Sequence, residues 1–252
     1  MPITNPLRER LMSGKCAVGA LAVLGSLESL ELAALAGFDF VTVDWQHGSF
    51  DQASMRNAAR ALDAAGCSAM ARPPAAQTHL IEWLMDMGYR SLLLPMIDTE
   101  DQARAAVSAA LYPPRGMRSQ ARCRAAIHGG PDYRETCNDA ALIVAMLETP
   151  AAVARAGDIA AVDGVDCVFI GAGDLASTMG ATPESAEFER SIDQVLHATL
   201  DAGKIAAIVA HDVDAVRRRA EQGFRLFTLG SDMRMLSDGY EDAVTQLAEL
   251  RA

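Results

Sequence analysis

Charged or imidazole side chains directly follow apolar runs at four places in this chain. They are Asp44 with Gln46 and His47, Arg72 before Pro73 and Pro74, Glu148, and Asp174 within Gly171-Ala172-Gly173-Asp174. If the runs are parallel strands of one barrel, their carboxyl ends share a rim, and we expect these side chains to converge there. Together they would supply two carboxylates, an arginine, and an imidazole backed by a third carboxylate.

The residue types indicate how side chains at such a rim would bind a substrate and transfer a proton. Arg72, fixed between an apolar run and two prolines, has the planar guanidinium that suits a carboxylate or oxyanion. His47 beside Asp44 is predicted to transfer a proton. The glycines around Asp174 leave backbone N–H groups free at a helix start, which favours binding of a substrate carboxylate there.

Paired carboxylates without a histidine cluster favour a hard divalent cation such as Mg²⁺ or Mn²⁺. Two carboxylates leave coordination positions for water and for a bidentate 2-oxo acid. The chain has two lysines, Lys15 and Lys204, against 20 arginines, and both lysines precede predicted strands. Residues just before strands lie at the amino-terminal face of a barrel, whereas an imine mechanism needs an amine at the carboxyl-terminal face. Electron withdrawal by a metal is therefore favoured instead.

Each of these side chains also has a plain structural explanation. Asp44 could cap the following turn, and His47 could be an exposed loop histidine. Arg72 and Glu148 could form local ion pairs, and Asp174 could cap the helix after it. The sequence alone leaves these alternatives open.

Short apolar runs alternate with amphipathic stretches along the chain, which predicts strands buried on both faces and separated by helices. The predicted strands are 17–23, 38–44, 67–72, 91–96, 142–148, 165–171, 205–210 and 225–230. The predicted helices are 27–36, 52–65, 78–87, 100–111, 150–162, 185–202, 213–222 and one near 240–250.

Eight strand–helix units in 252 residues match a (β/α)₈ TIM barrel, which we predict as a single domain over residues 1–252. A doubly wound sheet would more often show a glycine fingerprint after its first strand, and Leu24-Gly25-Ser26-Leu27 lacks one. Segment 112–141 interrupts the alternation and carries five arginines. We interpret it as a long loop at the active site or at a subunit contact.

Composition limits the possible partners. The formal charge is −11, which disfavours binding to nucleic acid or to anionic membranes. The N-terminal residues lack the apolar core of a signal peptide, and no apolar run is long enough to span a bilayer. The five scattered cysteines are typical of reduced thiols in a cytoplasmic protein. Small molecules are therefore the expected partners.

Several motifs together resemble the HpcH/HpaI aldolase family of metal-dependent, class II pyruvate aldolases. They are Gly37–His47, Ala71-Arg72-Pro73, Leu94–Thr99, Tyr112–Ser119, Leu147-Glu148-Thr149 and Val168–Leu175. The resemblance spans roughly residues 5–235 and rests on the set rather than on any single motif.

This resemblance implies a barrel enzyme that reversibly cleaves 4-hydroxy-2-oxo acids to pyruvate or hydroxypyruvate and an aldehyde through a metal-stabilised enolate. It implies that Glu148 and Asp174 hold Mg²⁺, Mn²⁺ or Co²⁺ and that Arg72 contacts the substrate oxygen. It also implies that the backbone at Gly173 and Asp174 receives the substrate carboxylate. It further implies a homohexamer, built as a trimer of dimers with the last helix swapped, in which Asp86 reaches a neighbouring site.

The sequence also departs from the family pattern. Gln46 stands where many members carry glutamate, and Ala172 replaces a proline. Related enolate chemistry remains an alternative, such as oxaloacetate decarboxylation or acyl-CoA-type lyase action. A non-catalytic barrel that binds an oxo acid is another. The physiological aldehyde, the donor, the preferred metal and the stereochemistry are not indicated by the sequence.

Overall fold

The computed structural model describes residues 3–183, 185–247 and 250. Eight parallel strands pair in sequence order, and β8 pairs with β1 to close a barrel. The strands are β1 Ala17–Ala22, β2 Phe40–Asp44, β3 Ser68–Arg72, β4 Ser91–Leu94, β5 Leu142–Leu147, β6 Cys167–Ile170, β7 Ile205–Ala210 and β8 Leu226–Ser231. The predicted (β/α)₈ fold is confirmed.

Helices connect successive strands around the outside of the barrel. In the described part of the chain they are α1 Pro6–Met12, α2 Leu27–Leu35, α3 Gln52–Ala64, α4 Thr78–Met87, α5 Glu100–Ala110, α6 Arg124–Gly129, α7 Tyr133–Ala140, α8 Pro150–Ala154, α9 Ala156–Ala160, α10 Ala172–Met179, α11 Ala186–Asp201, α12 Val213–Gln222 and α13 Asp232–Gln246. None of the helices within the described residues combines the length and apolar character needed to cross a membrane.

The predicted helix 150–162 is divided into α8 and α9, and α10 is not among the predicted helices. The structure differs from the sequence prediction in three further places. Segment 112–141 is not a continuous loop, because α6 and α7 lie within it and pack in a small cluster with Tyr112. Helix α1 was not predicted, because its apolar contacts are only Leu7 and Leu11. The last helix begins at Asp232, earlier than predicted, and residues 248 and 249 of the predicted 240–250 stretch lie outside the described residues.

Apolar side chains, including those of α1, fill the barrel interior toward the amino-terminal ends of the strands. Polar side chains lie in the interior at the carboxyl ends. Leu7 and Leu11 of α1 belong to the same buried cluster as Phe40, Val144 and other inward-facing strand residues. Phe40 is paired in register with Gly19. A Cβ at Gly19 would lie 2.5 Å from the Phe40 ring, so glycine is needed to make room for the phenylalanine.

Candidate active site

Asp44 and Arg72 are register partners at the ends of β2 and β3. Residues paired in register on neighbouring strands face the same side of a sheet, so both side chains point into the barrel. Arg72 Nε donates to Asp44 Oδ1 at 2.8 Å, and Arg72 Nη2 donates to Asp44 Oδ2 at 2.6 Å. Asp44 is fully buried, and the Arg72 side chain is 10% exposed. This is a two-point ion pair.

Asp44 also accepts hydrogen bonds from the backbone. Oδ1 receives the N–H of Gln46 at 3.0 Å and that of His47 at 3.3 Å. The capping and ion-pair explanations that the sequence left open for Asp44 and Arg72 are thus both present. They do not exclude a role at the substrate, since the remaining face of Arg72 lines a cavity.

That cavity of about 200 Å³ opens at the carboxyl ends of the strands. Its lining includes Arg72, Met146, Phe169, Gly173, Asp174 and Thr228. The active site of a (β/α)₈ barrel is expected at this end.

Glu148 follows β5, one residue past its last strand position. Inward-facing Val144 and Met146 precede it at alternate positions, so the strand directs Glu148 inward at the top of the barrel. It is 1% exposed, and its Oε1 accepts the Met96 backbone N–H at 2.8 Å.

Burial, and after it the neighbouring Asp174 carboxyl group, raise the pKa of Glu148 from its usual 4.5 to about 7. The Met96 hydrogen bond and the charge of Arg72 act in the opposite direction. Asp174 lies in the first turn of α10 and is exposed. Two adjacent carboxylates, one of them in an apolar surrounding, repel each other unless a proton or a cation lies between them.

The donor chemistry at this point fits a hard divalent cation. Glu148 and Asp174 offer carboxylate oxygens, which Mg²⁺ and Mn²⁺ prefer. Gln46 lies two residues after Asp44, and its Oε1 atom is buried without a hydrogen-bond partner among the described residues. Among the described residues no group of three or more His, Cys, Asp or Glu side chains could hold a metal. The candidate protein ligands are therefore these two carboxylates.

The structure does not bring every predicted residue together. His47 is exposed and meets Asp44 only through its backbone N–H, and no hydrogen bond of its ring is found in the described part of the chain. Asp86 lies near the end of α4, which runs away from the cavity, and accepts from Arg118 Nη2 at 2.6 Å. The roles of His47 and Asp86 stay predictions.

Both the sequence and the fold of this chain are similar to those of known proteins. A family model described as HpcH/HpaI aldolase/citrate lyase matches residues 24–238. The chain belongs to this family.

Relatives of this HpcH/HpaI chain carry aldolase names. It is 33% identical to a hydroxypyruvate/pyruvate aldolase of Cupriavidus necator, over 98% of this chain and 93% of that protein. It is also 33% identical to a 4-hydroxy-2-oxovalerate aldolase of Rhodococcus jostii, over 92% of each. A crystal structure of an HpcH/HpaI aldolase/citrate lyase family protein from Burkholderia cenocepacia superposes with a TM-score of 0.92, at 33% identity, covering 99% of this chain and 100% of that one.

The sequence did not single out Met96 at this HpcH/HpaI site, nor Arg118, which lies away from the cavity. Met96 contributes a backbone N–H, and the residue type of a methionine gives no signal for that role. Arg118 is wholly buried, between Asp86 and the Tyr133 hydroxyl. Its presence in the arginine-rich segment was visible in the sequence, but its burial depends on the packing of α7.

Proposed function

We propose that this chain is a carbon–carbon lyase, a class II pyruvate aldolase, that reversibly cleaves 4-hydroxy-2-oxo acids. The products are pyruvate or hydroxypyruvate and an aldehyde. The observation that carries the proposal is the buried Glu148 carboxylate beside Asp174, together with the cavity that Asp174 and Arg72 both line. The names of the relatives in Cupriavidus and Rhodococcus support the same chemistry.

In this proposal Glu148 and Asp174 hold a divalent cation, Mg²⁺, Mn²⁺ or Co²⁺. When bound, the cation acts as a Lewis acid toward the 2-oxo group and favours the enolate form of the donor. Burial and the neighbouring Asp174 carboxylate raise the pKa of Glu148, and a cation between the two carboxylates would offset their mutual repulsion.

Arg72 is assigned to the oxygen that gains charge in the reaction. Its Nε and Nη2 are occupied by Asp44, and its Nη1 has no hydrogen-bond partner among the described residues. Because the guanidinium lines the cavity, Nη1 is the donor available to the substrate. Asp44 holds the plane of that guanidinium, so the donor is fixed before the substrate binds, as electrostatic catalysis requires.

The first turn of α10 is assigned to the substrate carboxylate. Leu175 N–H bonds to the Gly171 carbonyl, so the backbone N–H groups of Gly173 and Asp174 precede the first helical hydrogen bond. Space around Gly173 is open, since a Cβ there would meet no atom within 4 Å. Free N–H groups at a helix start favour an anion.

His47 is assigned to proton transfer in the cleavage direction. Its imidazole takes the C4 hydroxyl proton, directly or through water, as the C3–C4 bond breaks. The electron pair of that bond remains on the donor as the enolate, and the aldehyde leaves. The imidazolium then returns a proton to C3 of the enolate, directly or through water, which gives the 2-oxo acid product and restores the neutral imidazole.

The proposal is tested by assaying cleavage of 4-hydroxy-2-oxo acids with Mg²⁺, Mn²⁺ or Co²⁺ and with a chelator. We expect turnover that is abolished in Glu148→Ala and Asp174→Ala. Undiminished turnover in either variant would contradict the ligand assignment. Oxaloacetate decarboxylation that greatly exceeds aldol cleavage would favour the related enolate chemistry over the aldolase.

Assembly and location form a finer part of the proposal. We propose a homohexamer, a trimer of dimers in which α13 packs on a neighbour and Asp86 reaches the neighbouring site. Exposed apolar residues of α13 support it, namely Met233, Met235, Leu236, Tyr240 and Val244. Light scattering of the purified chain tests the size, and a monomer at micromolar concentration would contradict it. A cytoplasmic location, consistent with five free cysteines, stays a prediction.

A further inference from the structure

Met96 adopts a backbone conformation that is unusual for its residue type. Its φ is +56°, and among the described residues it is the non-glycine residue with positive φ. The left-handed region carries a steric penalty for any residue with a Cβ, so the surroundings must hold the backbone there. Such positions often serve a functional site.

The conformation turns two consecutive N–H groups toward β5. Met96 N–H donates to Glu148 Oε1 at 2.8 Å, and Ile97 N–H donates to the Met146 carbonyl at 3.1 Å. In an extended strand, successive N–H groups point to opposite sides, whereas helical dihedral angles of either hand align them. The left-handed residue therefore allows both donors to face the same strand.

The other oxygen of Glu148 is confined by Gly171. A Cβ at this position would lie 2.9 Å from Glu148 Oε2 and 2.7 Å from the Met146 Cε atom. The carboxylate is thus held between a backbone donor on one side and a residue without a side chain on the other.

The side chain of Met96 is not part of the core. It is 48% exposed, beside a groove formed with Pro74, Pro95 and neighbouring residues. The role of this residue at Glu148 therefore belongs to its backbone, and its side chain can be changed without opening a cavity in the interior.

We infer that Met96 is a positioning residue for the metal ligand Glu148. Its left-handed backbone aims an N–H at Oε1 and holds the carboxylate in the orientation that meets Asp174. This inference rests on the proposed function, because the ligand role of Glu148 is part of it.

Titration calorimetry of Mn²⁺ into the 252-residue chain tests the inference without an activity assay. Met96→Gly keeps the left-handed backbone, and we expect its affinity to stay within about twofold of the parent. Met96→Val disfavours that backbone strongly, and we expect binding to weaken by about tenfold or more. Met12→Val is the matched control, because Met12 is 47% exposed in α1 at the other end of the barrel.

The results separate this inference from the proposed function. Parent-like affinity in Met96→Val overturns the positioning role, and so does an equal loss in the glycine and valine variants. If the valine variant does not fold, Met96→Ala replaces it, with an affinity expected below that of the glycine variant. Glu148→Ala is measured beside them. Undiminished Mn²⁺ binding in Glu148→Ala would overturn the ligand assignment itself, whereas loss there with retention in Met96→Val would overturn only the inference.

Discussion

The ion pair between Asp44 and Arg72 gives a prediction that separates structural from catalytic roles. Replacing Arg72 with methionine keeps much of the side-chain volume and removes both donors. Asp44 has no exposed surface, and it would retain only the backbone N–H groups of Gln46 and His47. Removing one partner of a buried pair costs about 3–5 kcal/mol of the free energy of unfolding.

The reverse change should cost less. Asp44→Asn leaves the Arg72 guanidinium without its counter-charge, but that side chain is 10% exposed and borders a cavity that admits water. We expect a loss of about 2–3 kcal/mol. The double variant combines Arg72→Met with Asp44→Asn, so neither an uncompensated carboxylate nor an uncompensated guanidinium remains. Its loss of unfolding free energy should be smaller than the sum of the two single losses by about 2 kcal/mol or more.

Urea denaturation of the metal-free chain at one protein concentration measures the three losses. Activity assays of the same proteins complete the test, because the double variant should regain stability without regaining turnover. Additive losses would refute the coupling between the two side chains. Recovery of turnover in the double variant would refute the assignment of Arg72 to the substrate oxygen.

Three further predictions concern Glu148 and the base of the barrel. Gly171→Ala places a Cβ against Glu148 Oε2 and should weaken Mn²⁺ binding by about tenfold, measured by calorimetry. In the metal-free chain the pKa of Glu148 is raised from its usual 4.5 to about 7, so the folded state holds the proton more tightly than the unfolded state. The free energy of unfolding should therefore fall as pH rises from about 4.5 to about 7, and Glu148→Gln should flatten that dependence in urea titrations. Asn5→Ala removes donors to the Arg90 and Ala140 carbonyls and should cost about 2–3 kcal/mol by the same denaturation assay, whereas no loss would contradict a structural role for α1.

The fold was predictable from the sequence because its signals are local and repeated. Continuous apolar runs such as 142–148 and helix stops such as Gly88 recur in most units of the barrel. Segment 112–141 was harder to predict, because α6 and α7 are short and their stability comes from a cluster with Tyr112. A short helix that depends on tertiary contacts leaves little periodic pattern.

The candidate site was predictable in its residue types and less so in its pairings. Strand ends directed attention to Asp44, Arg72 and Glu148, and the structure places Asp44 with Arg72. The sequence favoured a partnership of Asp44 with His47, but the register of β2 and β3 brings the arginine to the carboxylate instead. The N–H of Met96 was not predictable, because a left-handed methionine is imposed by its surroundings rather than by its residue type.

A cation held by Glu148 and Asp174 should make the enolate of the donor accessible. NMR can monitor the exchange of the pyruvate methyl hydrogens for deuterium, first with Mg²⁺ that contains no Mn²⁺ and then with a chelator. This measurement tests the role of the cation without knowledge of the aldehyde. We expect exchange that stops on chelation and is absent in Glu148→Ala. Exchange that continues in the presence of the chelator, or in that variant, would contradict this role of the cation. The absence of exchange with both pyruvate and hydroxypyruvate would contradict it as well.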